Sequence, residues 1–393
     1  MEDEILSPEI QSYIREKAEG NQSIAIIALE KSPFLEVTSK QVAQQVNALR
    51  KIKHKVPLWY DIPGIFYPPQ LNLEQASSEL TARYKSKIIS GELLIDITGG
   101  LGVDTYFLSK KIRKVYHCEL HKQLSEIARH NFQKLGANNI KTFAQNGLEV
   151  LEKIPKMDWI YVDPARRDHL NKKMIALNSY TPDITKHLAF LLQKAQNLLL
   201  KTSPLLDITE GLKSLKTTKE IHIVAVKNEV KELLWIMNSK TENYPKIKTV
   251  NMNGQKEDVF EFLWKRNESQ VSSFSQPLKY LYEPNAAVLK SGGFVELGTS
   301  LKINKLHKHS HLYTSENLVQ FPGRVFKVEK VIKFEKRILK KLGVDQANIT
   351  TRNFPIPVNE IRQKLKIKEG GILYLFFTTD LTDQKIIVFC KKN

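Results

Sequence analysis

Apolar residues in the first 90 positions recur at intervals of three and four, as in Ile10, Tyr13 and Ile14. This spacing places apolar side chains on one face of a helix. Prolines interrupt the helical pattern because proline breaks the helical hydrogen-bond ladder. They are Pro57, Pro63, Pro68 and Pro69. A last helix is predicted over residues 71–89, so residues 1–90 are expected to form a helical accessory domain.

From Leu93 the pattern changes to short apolar runs separated by helical stretches, which is typical of a parallel sheet covered on both faces. The candidate strands are residues 93–97, 115–119, 140–144, 159–163, 198–201, 221–226 and 259–264. The stretch NMNGQKED at residues 251–258 predicts a hairpin turn, so the last strand should pair antiparallel. We therefore expect an α/β fold with a seven-stranded, Rossmann-like sheet.

The amino-acid composition changes at two further places along the chain, and each change marks a predicted domain boundary. A polar, serine-rich stretch at residues 267–277 marks one boundary, and a second falls near Gln320. The predicted domains are an N-terminal helical domain at 1–90, an α/β domain at 91–270, a small ferredoxin-like α+β segment at 275–319 and a basic domain at 320–393.

The charge balance suggests a polyanionic partner. The 393 residues hold 60 Lys and Arg against 42 Asp and Glu, a formal net charge of +18, and residues 321–393 alone hold 16 against 7. Such a surplus attracts nucleic acid, although a merely solvated basic surface gives the same composition.

Other compositional features limit the class of protein. No apolar run reaches the roughly 18 to 20 residues that cross a bilayer, and the N-terminus is acidic, so a cytoplasmic protein without membrane association is expected. Cys118 and Cys390 lie too far apart in sequence to suggest a disulfide framework or a zinc cluster. No metal is expected, and the oligomeric state stays open.

A glycine-rich loop follows the first predicted strand, in the segment Asp96-Ile-Thr-Gly-Gly-Leu-Gly-Val-Asp104. Glycines permit a tight turn and let a ligand lie against bare backbone at a helix start. Glu119 ends the second strand, where a carboxylate can accept ribose hydroxyls. Dinucleotide binding would require a third glycine where Thr105 stands, so NAD is disfavoured. A purely structural turn is the other alternative.

The loop and Glu119 resemble motifs I and II of class I methyltransferases. The resemblance implies S-adenosylmethionine as cofactor, with the loop around the methionine moiety and Glu119 at the ribose. Asn146 follows the third strand at the position that often meets adenine, although a plain turn explains it equally well. The implied cofactor-binding residues are Asp96, Thr98, Gly100, Gly102, Asp104, Glu119 and Asn146.

The segment Asp163-Pro-Ala-Arg-Arg-Asp168 follows the fourth strand. It resembles motif IV of methyltransferases that act on nucleic acids, in which the acid accepts a hydrogen bond from an exocyclic amine and an aromatic ring stacks on the base. Here Ala165 and Arg166 replace the second proline and the aromatic residue. The resemblance implies Asp163, Pro164 and Arg166 as catalytic residues.

The same segment is also similar to RNA 5-methyluridine methyltransferases, whose covalent mechanism needs a nucleophilic cysteine. Neither cysteine fits, so we expect direct transfer to a nitrogen or oxygen. Arg167 could hold a substrate phosphate with Arg166, or the two could pair with Asp168. Lys201, at the end of the fifth strand, is expected to contact substrate from the same rim.

The segments beginning at Phe321 and Arg352, FPGR and RNFP, resemble the THUMP-like domain of certain bacterial methyltransferases. The resemblance extends over most of the chain, including the segment LEQASSELTARYK at residues 73–85. It implies an RNA substrate contacted by Arg324 and Arg352. The sequence thus predicts an S-adenosylmethionine-dependent RNA methyltransferase. The alternatives are a methyltransferase for proteins or small molecules, and a cofactor-binding RNA-binding module without turnover.

Overall fold

The computed structural model describes residues 3–68, 70–166, 177–240, 244–254, 256–265, 273–335, 337–338 and 342–393. The chain divides into two compact units. The first comprises Met1–Thr218 and Trp235–Thr241, and the second comprises Lys219–Leu234 and Glu242–Asn393. Within the described residues, no helix combines the length and apolarity that a membrane span requires.

The α-helices in the described residues are α1 (Pro8–Glu19), α2 (Ile24–Leu29), α3 (Ser39–Lys55), α4 (Pro57–Asp61), α5 (Gln70–Gln75), α6 (Glu79–Ile88), α7 (Val103–Ser109), α8 (Lys122–Lys134), α9 (Gly147–Lys153), α10 (Ile184–Lys194), α11 (Ile208–Ser214), α12 (Ala286–Ser291), α13 (Phe294–Leu301) and α14 (Val358–Leu365). Two short 3-10 helices span Asp3–Leu6 and Leu177–Ser179.

The strands are β1 (Gly91–Asp96), β2 (Ile112–Cys118), β3 (Ile140–Phe143), β4 (Met157–Val162), β5 (Ala165–Arg166), β6 (Tyr180–Thr181), β7 (Ala195–Thr202), β8 (Thr218–Val226), β9 (Glu229–Asn238), β10 (Lys246–Asn253), β11 (Lys256–Leu263), β12 (Tyr280–Pro284), β13 (Asn304–Lys305), β14 (Tyr313–Ser315), β15 (Gly323–Lys333), β16 (Asn348–Thr351), β17 (Leu373–Thr379) and β18 (Lys385–Lys392).

Four of the N-terminal helices, α1, α2, α3 and α6, begin where a side chain accepts a hydrogen bond from a free backbone amide. Thr38 and Gln41 form a capping box at the start of α3, in which each side chain meets the other residue's backbone N–H. The helices pack around a buried apolar cluster that includes Val46, Ile52 and Trp59. The helical character predicted for this part of the chain is thus confirmed.

The single helix predicted over residues 71–89 is wrong. The segment forms α5 and α6, with a break at residues 76–78. Ser78 causes the restart because its hydroxyl accepts a hydrogen bond from the backbone N–H of Thr81 and caps α6. The break leaves Ser77 outside both helices.

Parallel strands form the sheet of the first unit. Their order is β7, β4, β1, β2 and β3, and the described pairs β7–β4, β4–β1, β1–β2 and β2–β3 are all parallel. The end of β9 flanks β7. The carboxyl ends of these parallel strands meet at one edge, where an open α/β sheet places its ligand crevice. The predicted Rossmann-like fold is confirmed, but the predicted number of seven strands is wrong, because β9 and β10 add two strands among the described residues. Separately, β5 pairs antiparallel with β6.

The second unit contains β11, β10, β8 and the start of β9, in that order. β10 and β11 pair antiparallel through the predicted hairpin, which is confirmed. β8 and β9 are joined by Lys227 and Asn228, whose φ angles of 50° and 64° are those of a tight hairpin turn. We did not predict β9, because the continuous apolar run in Glu229–Asn238 fits a buried helix as well as a strand.

A separate seven-stranded sheet completes the second unit, in the order β13, β14, β12, β15, β18, β17 and β16. β12 pairs antiparallel with β15, so strands from the predicted segments 275–319 and 320–393 share this sheet. Phe326 and Phe376 are buried in its core. The four-domain division itself stays a prediction.

Candidate active site

The loop after β1 requires glycine at several positions. Gly100 and Gly102 have φ angles of 54° and 86°, in the left-handed region that other residues rarely adopt. A Cβ atom at Gly99 would lie 2.2 Å from Nε2 of His117, and one at Gly102 would lie 2.3 Å from the Phe132 ring. At Gly100 the nearest atom would be 4.0 Å away, so this face of the loop is open to a ligand.

Asp96 ends β1 with its carboxylate buried under the loop. Its Oδ1 accepts a hydrogen bond from the backbone N–H of Thr98 (3.0 Å), and its Oδ2 accepts one from the Thr105 hydroxyl (2.6 Å). Burial raises the pKa of Asp96 to about 7 despite these hydrogen bonds. The charge of this carboxylate is therefore sensitive to any cation that binds beside it.

Glu119 follows β2 and is held against the glycine loop. Its Oε2 accepts a hydrogen bond from the backbone N–H of Gly100 (2.9 Å), and its Oε1 accepts one from that of His121 (2.8 Å). Each carboxylate oxygen can accept about two hydrogen bonds, so this geometry leaves capacity for ligand hydroxyls. The loop and the acid predicted to bind cofactor thus lie together.

Asn146 caps the helix that follows β3. Its Oδ1 accepts a hydrogen bond from the backbone N–H of Leu148 (3.0 Å) at the start of α9. The next residue, Gly147, packs so closely on Ile97 that a Cβ atom there would lie 2.5 Å from the Ile97 Cβ. This turn is therefore adjacent to the end of β1, and contact between Asn146 and adenine stays a prediction.

Asp104, a predicted cofactor ligand, is buried and bonded to protein groups. Its Oδ2 accepts hydrogen bonds from the hydroxyls of Ser77 and Tyr161, both at 2.7 Å, and Lys85 Nζ lies 3.2 Å from its Oδ1. Burial raises the pKa of this carboxyl, but the ammonium groups of Lys85 and Lys201 outweigh burial and hold it below its usual value. The cofactor role of Asp104 stays a prediction.

Asp163 lies after β4, next to the cofactor loop. Its backbone N–H donates to the Thr98 hydroxyl (2.7 Å), and its Oδ2 lies 2.6 Å from Lys201 Nζ. Thr98 also donates from this hydroxyl to Asp96 Oδ1 (3.4 Å). The residues predicted for cofactor and acceptor binding are thus joined through one threonine.

The remaining residues of the motif IV-like segment are only partly described. Pro164 is buried, and the backbone of Arg166 pairs with Tyr180 between β5 and β6. The Arg166 side chain and the whole of Arg167 lie outside the described residues, so their predicted roles stay predictions. The Tyr180 ring, which lies opposite Arg166 in this pair, is buried.

Sequence reasoning missed several polar groups that surround this site, chiefly Ser77, Lys85 and His117. Ser77 and Lys85 belong to the segment LEQASSELTARYK, whose resemblance to the family suggested no chemistry for them. His117 lies in β2 under the glycine loop, where burial lowers the pKa of its imidazole to about 4. For His117, the signal in the sequence was a polar residue inside an otherwise apolar predicted strand.

The two cysteines of the chain are both buried. Burial raises the pKa of the Cys118 thiol, and it raises that of Cys390 to about 12. Because the thiolate is the nucleophilic form, neither side chain suits a covalent mechanism. Among the described residues, no cluster of three or more His, Cys, Asp or Glu side chains could hold a metal ion.

In the second unit, Arg324 and Arg352 bind the buried carboxylate of Glu283. Arg324 Nε donates to Oε2 (2.7 Å), and Arg352 Nη2 donates to Oε1 (2.9 Å). The arrangement ties together β12, β15 and the end of β16. Both arginines therefore have a structural partner, and their predicted contact with substrate stays a prediction.

Family models match two segments of the chain. A ferredoxin-like domain matches residues 280–322, and a THUMP domain-like model matches residues 323–392. A comparison with curated protein sequences finds no match.

Solved structures give a match over nearly the whole chain. The crystal structure of a "putative methyltransferase" from Porphyromonas gingivalis W83 is 34% identical, covers 99% of this chain and 98% of its own, and has a TM-score of 0.90. M. capricolum TrmK in complex with S-adenosyl-homocysteine is 18% identical and covers 41% of this chain and 69% of its own (TM-score 0.33). A methyltransferase from Geobacter sulfurreducens is 17% identical, with 41% and 78% coverage (TM-score 0.31). On the strength of the Porphyromonas structure, this chain belongs to a family of methyltransferases with a C-terminal THUMP-like domain.

Proposed function

We propose that this protein uses S-adenosylmethionine to methylate RNA at a nitrogen or oxygen by direct transfer. The contact that carries the proposal is the Thr98 hydroxyl, which accepts from the backbone N–H of Asp163 and donates to Asp96. Thr98 belongs to the glycine loop, so this contact supports a role for Asp163 beside the bound cofactor.

The chain's own groups suit the cofactor. The open face of Gly100 would admit the methionine moiety, Asp96 would favour its positive charge, and Glu119 would accept hydrogen bonds from the ribose hydroxyls. When bound, S-adenosylmethionine supplies a methyl group on a sulfonium sulfur, and that sulfur keeps the electron pair of the broken carbon–sulfur bond as S-adenosylhomocysteine forms.

Asp163 would orient the acceptor at this site. A lone pair on the acceptor nitrogen or oxygen forms the new bond to the methyl carbon, and the proton lost from the acceptor passes to Asp163 or to water. Alignment of the reacting atoms is the main contribution of the protein. A covalent route through a cysteine is disfavoured because both thiols are buried.

RNA as the acceptor is supported by the second unit and by charge. The THUMP domain-like match covers β15, on which Lys327, Lys330 and Lys333 are exposed. Exposed lysines along one strand can neutralise successive phosphates. We further propose a cytoplasmic location, where such RNA is available.

The proposal is tested by transfer of a labelled methyl group into total RNA from a strain that lacks this protein, followed by digestion to nucleosides. We expect label in one nucleoside. Asp163→Ala should bind S-adenosylmethionine as the natural protein does but transfer methyl at least about 100-fold more slowly, because positioning of the acceptor contributes at least this much.

Asp207→Ala is a matched control. This change removes a carboxylate that caps α11, and it leaves Asp163 and Lys201 in place. Full transfer by Asp163→Ala would refute its assigned role. Label in protein or in small molecules, with none in RNA, would establish the other acceptor class. Cofactor binding without transfer to any fraction would favour an RNA-binding module without turnover.

A further inference from the structure

The Ser77 side chain occupies the break between α5 and α6, where it is buried. Its hydroxyl donates to Asp104 Oδ2 (2.7 Å) and accepts from Lys85 Nζ and Lys201 Nζ, each at 3.2 Å. A hydroxyl has one donor and two acceptor lone pairs, so these three contacts use its full hydrogen-bonding capacity. Ser77 is therefore held in one orientation.

The charges around Ser77 are balanced. Two ammonium groups approach the same oxygen, which is unfavourable for buried like charges unless carboxylates accompany them. Asp104 lies 3.2 Å from Lys85, and Asp163 lies 2.6 Å from Lys201. The two positive and two negative charges of these four residues therefore cancel one another.

The N-terminal helices hold Ser77 at this position. Lys55, at the end of α3, donates hydrogen bonds to the carbonyl oxygens of Leu73 and Glu74, each at 2.7 Å. These carbonyls belong to α5, directly before the break. A continuous set of contacts thus runs from the helical domain through Ser77 and Lys201 to Asp163.

We propose that Ser77 is a positioning residue for methyl transfer: its hydroxyl orients Lys201, and Lys201 orients the Asp163 carboxylate. The N-terminal helices thereby complete the site. The inference rests on the proposed contact between Asp163 and the acceptor.

The test compares Ser77→Ala with Ser78→Ala in the full chain. The two variants make the same change at adjacent positions, but the described hydrogen bonds of the Ser78 side chain are with Thr81, at the start of α6. We expect Ser77→Ala to lower kcat by about tenfold and to leave the KM for S-adenosylmethionine within about threefold, whereas Ser78→Ala keeps kcat within about twofold. Ser77→Thr, which retains the hydroxyl, should restore most of the rate.

Two results would overturn the positioning role. One is an unchanged kcat in Ser77→Ala. The other is a loss of rate in Ser77→Ala that is matched by an equal loss of cofactor affinity, or by an equal loss of rate in Ser78→Ala, because either would indicate a general structural effect.

A second measurement does not depend on the acceptor. Lysine acetylation by acetic anhydride, read by mass spectrometry, should modify Lys201 about fivefold faster in Ser77→Ala than in the natural protein or in Ser78→Ala, because the ammonium loses its hydrogen bond to Ser77. Equal rates would refute the link between Ser77 and Lys201. Absence of methyl transfer by the natural protein, with faster Lys201 acetylation in Ser77→Ala, would instead refute the proposed function and leave the link established.

Discussion

Asp96 shows how one buried side chain can couple ligand binding to pH. Its carboxylate lies under the glycine loop, and burial raises its pKa to about 7. A positively charged ligand in the loop would stabilise the ionised form and lower this pKa. Binding of S-adenosylmethionine, which carries positive charge on its sulfur and its amino group, should therefore release a proton from Asp96.

We predict that affinity for S-adenosylmethionine falls about tenfold between pH 8 and pH 6. At pH 8 most Asp96 side chains are already ionised, whereas at pH 6 about nine in ten must lose a proton before the ligand binds. Titration calorimetry at both pH values measures the effect. Asp96→Asn should bind weakly with little dependence on pH, and an unchanged affinity in the natural protein would contradict the prediction.

The glycine loop is the element on which the site depends most. Its shape results from close packing, since the His117 ring lies directly beneath Gly99 and the Phe132 ring beneath Gly102. A side chain at either position would overlap a buried ring that has little room to move.

We predict that Gly99→Ala destabilises the protein by about 1 to 3 kcal/mol, the usual range for an overpacked core, and weakens cofactor binding. Thermal unfolding and calorimetry measure the two effects. Gly20→Ala is the matched control, because a Cβ atom there would meet only backbone oxygens at 3.7 Å. Equal stability of the two variants would contradict the role of close packing at Gly99.

At the scale of the whole molecule, the surplus of basic residues bears on binding of the proposed RNA substrate. Arg324 and Arg352 are bound to Glu283, so the freely exposed lysines of β15 are better placed to meet phosphates. Each phosphate contact releases counterions and adds to the salt dependence of binding.

We predict that Lys327→Gln combined with Lys330→Gln weakens RNA binding and reduces the slope of log affinity against log salt by about one to two. Fluorescence anisotropy at several salt concentrations measures both quantities. The control combines Lys153→Gln with Lys156→Gln, two exposed lysines that precede β4 at the opposite edge from the site. An equal loss in both double variants would indicate a net-charge effect only.

Local sequence was sufficient for much of the fold and for the cofactor loop. The parallel strands, the β10–β11 hairpin and the N-terminal helices follow from apolar periodicity and turn residues, which act between neighbours along the chain. The glycine loop and Glu119 were also predictable, because strand ends at one sheet edge must bring them together.

Tertiary structure alone determined the polar surroundings of the site. Ser77 meets Lys201 across 124 residues of sequence and Asp104 across 27, and no local pattern signals such contacts. In the same way, the apolar run of β9 fits a helix or a strand until its neighbours are known, and Arg324 and Arg352 gain their partner Glu283 only when three strands assemble. Periodicity specifies which face of an element is buried, whereas the partner of a buried polar group depends on long-range packing.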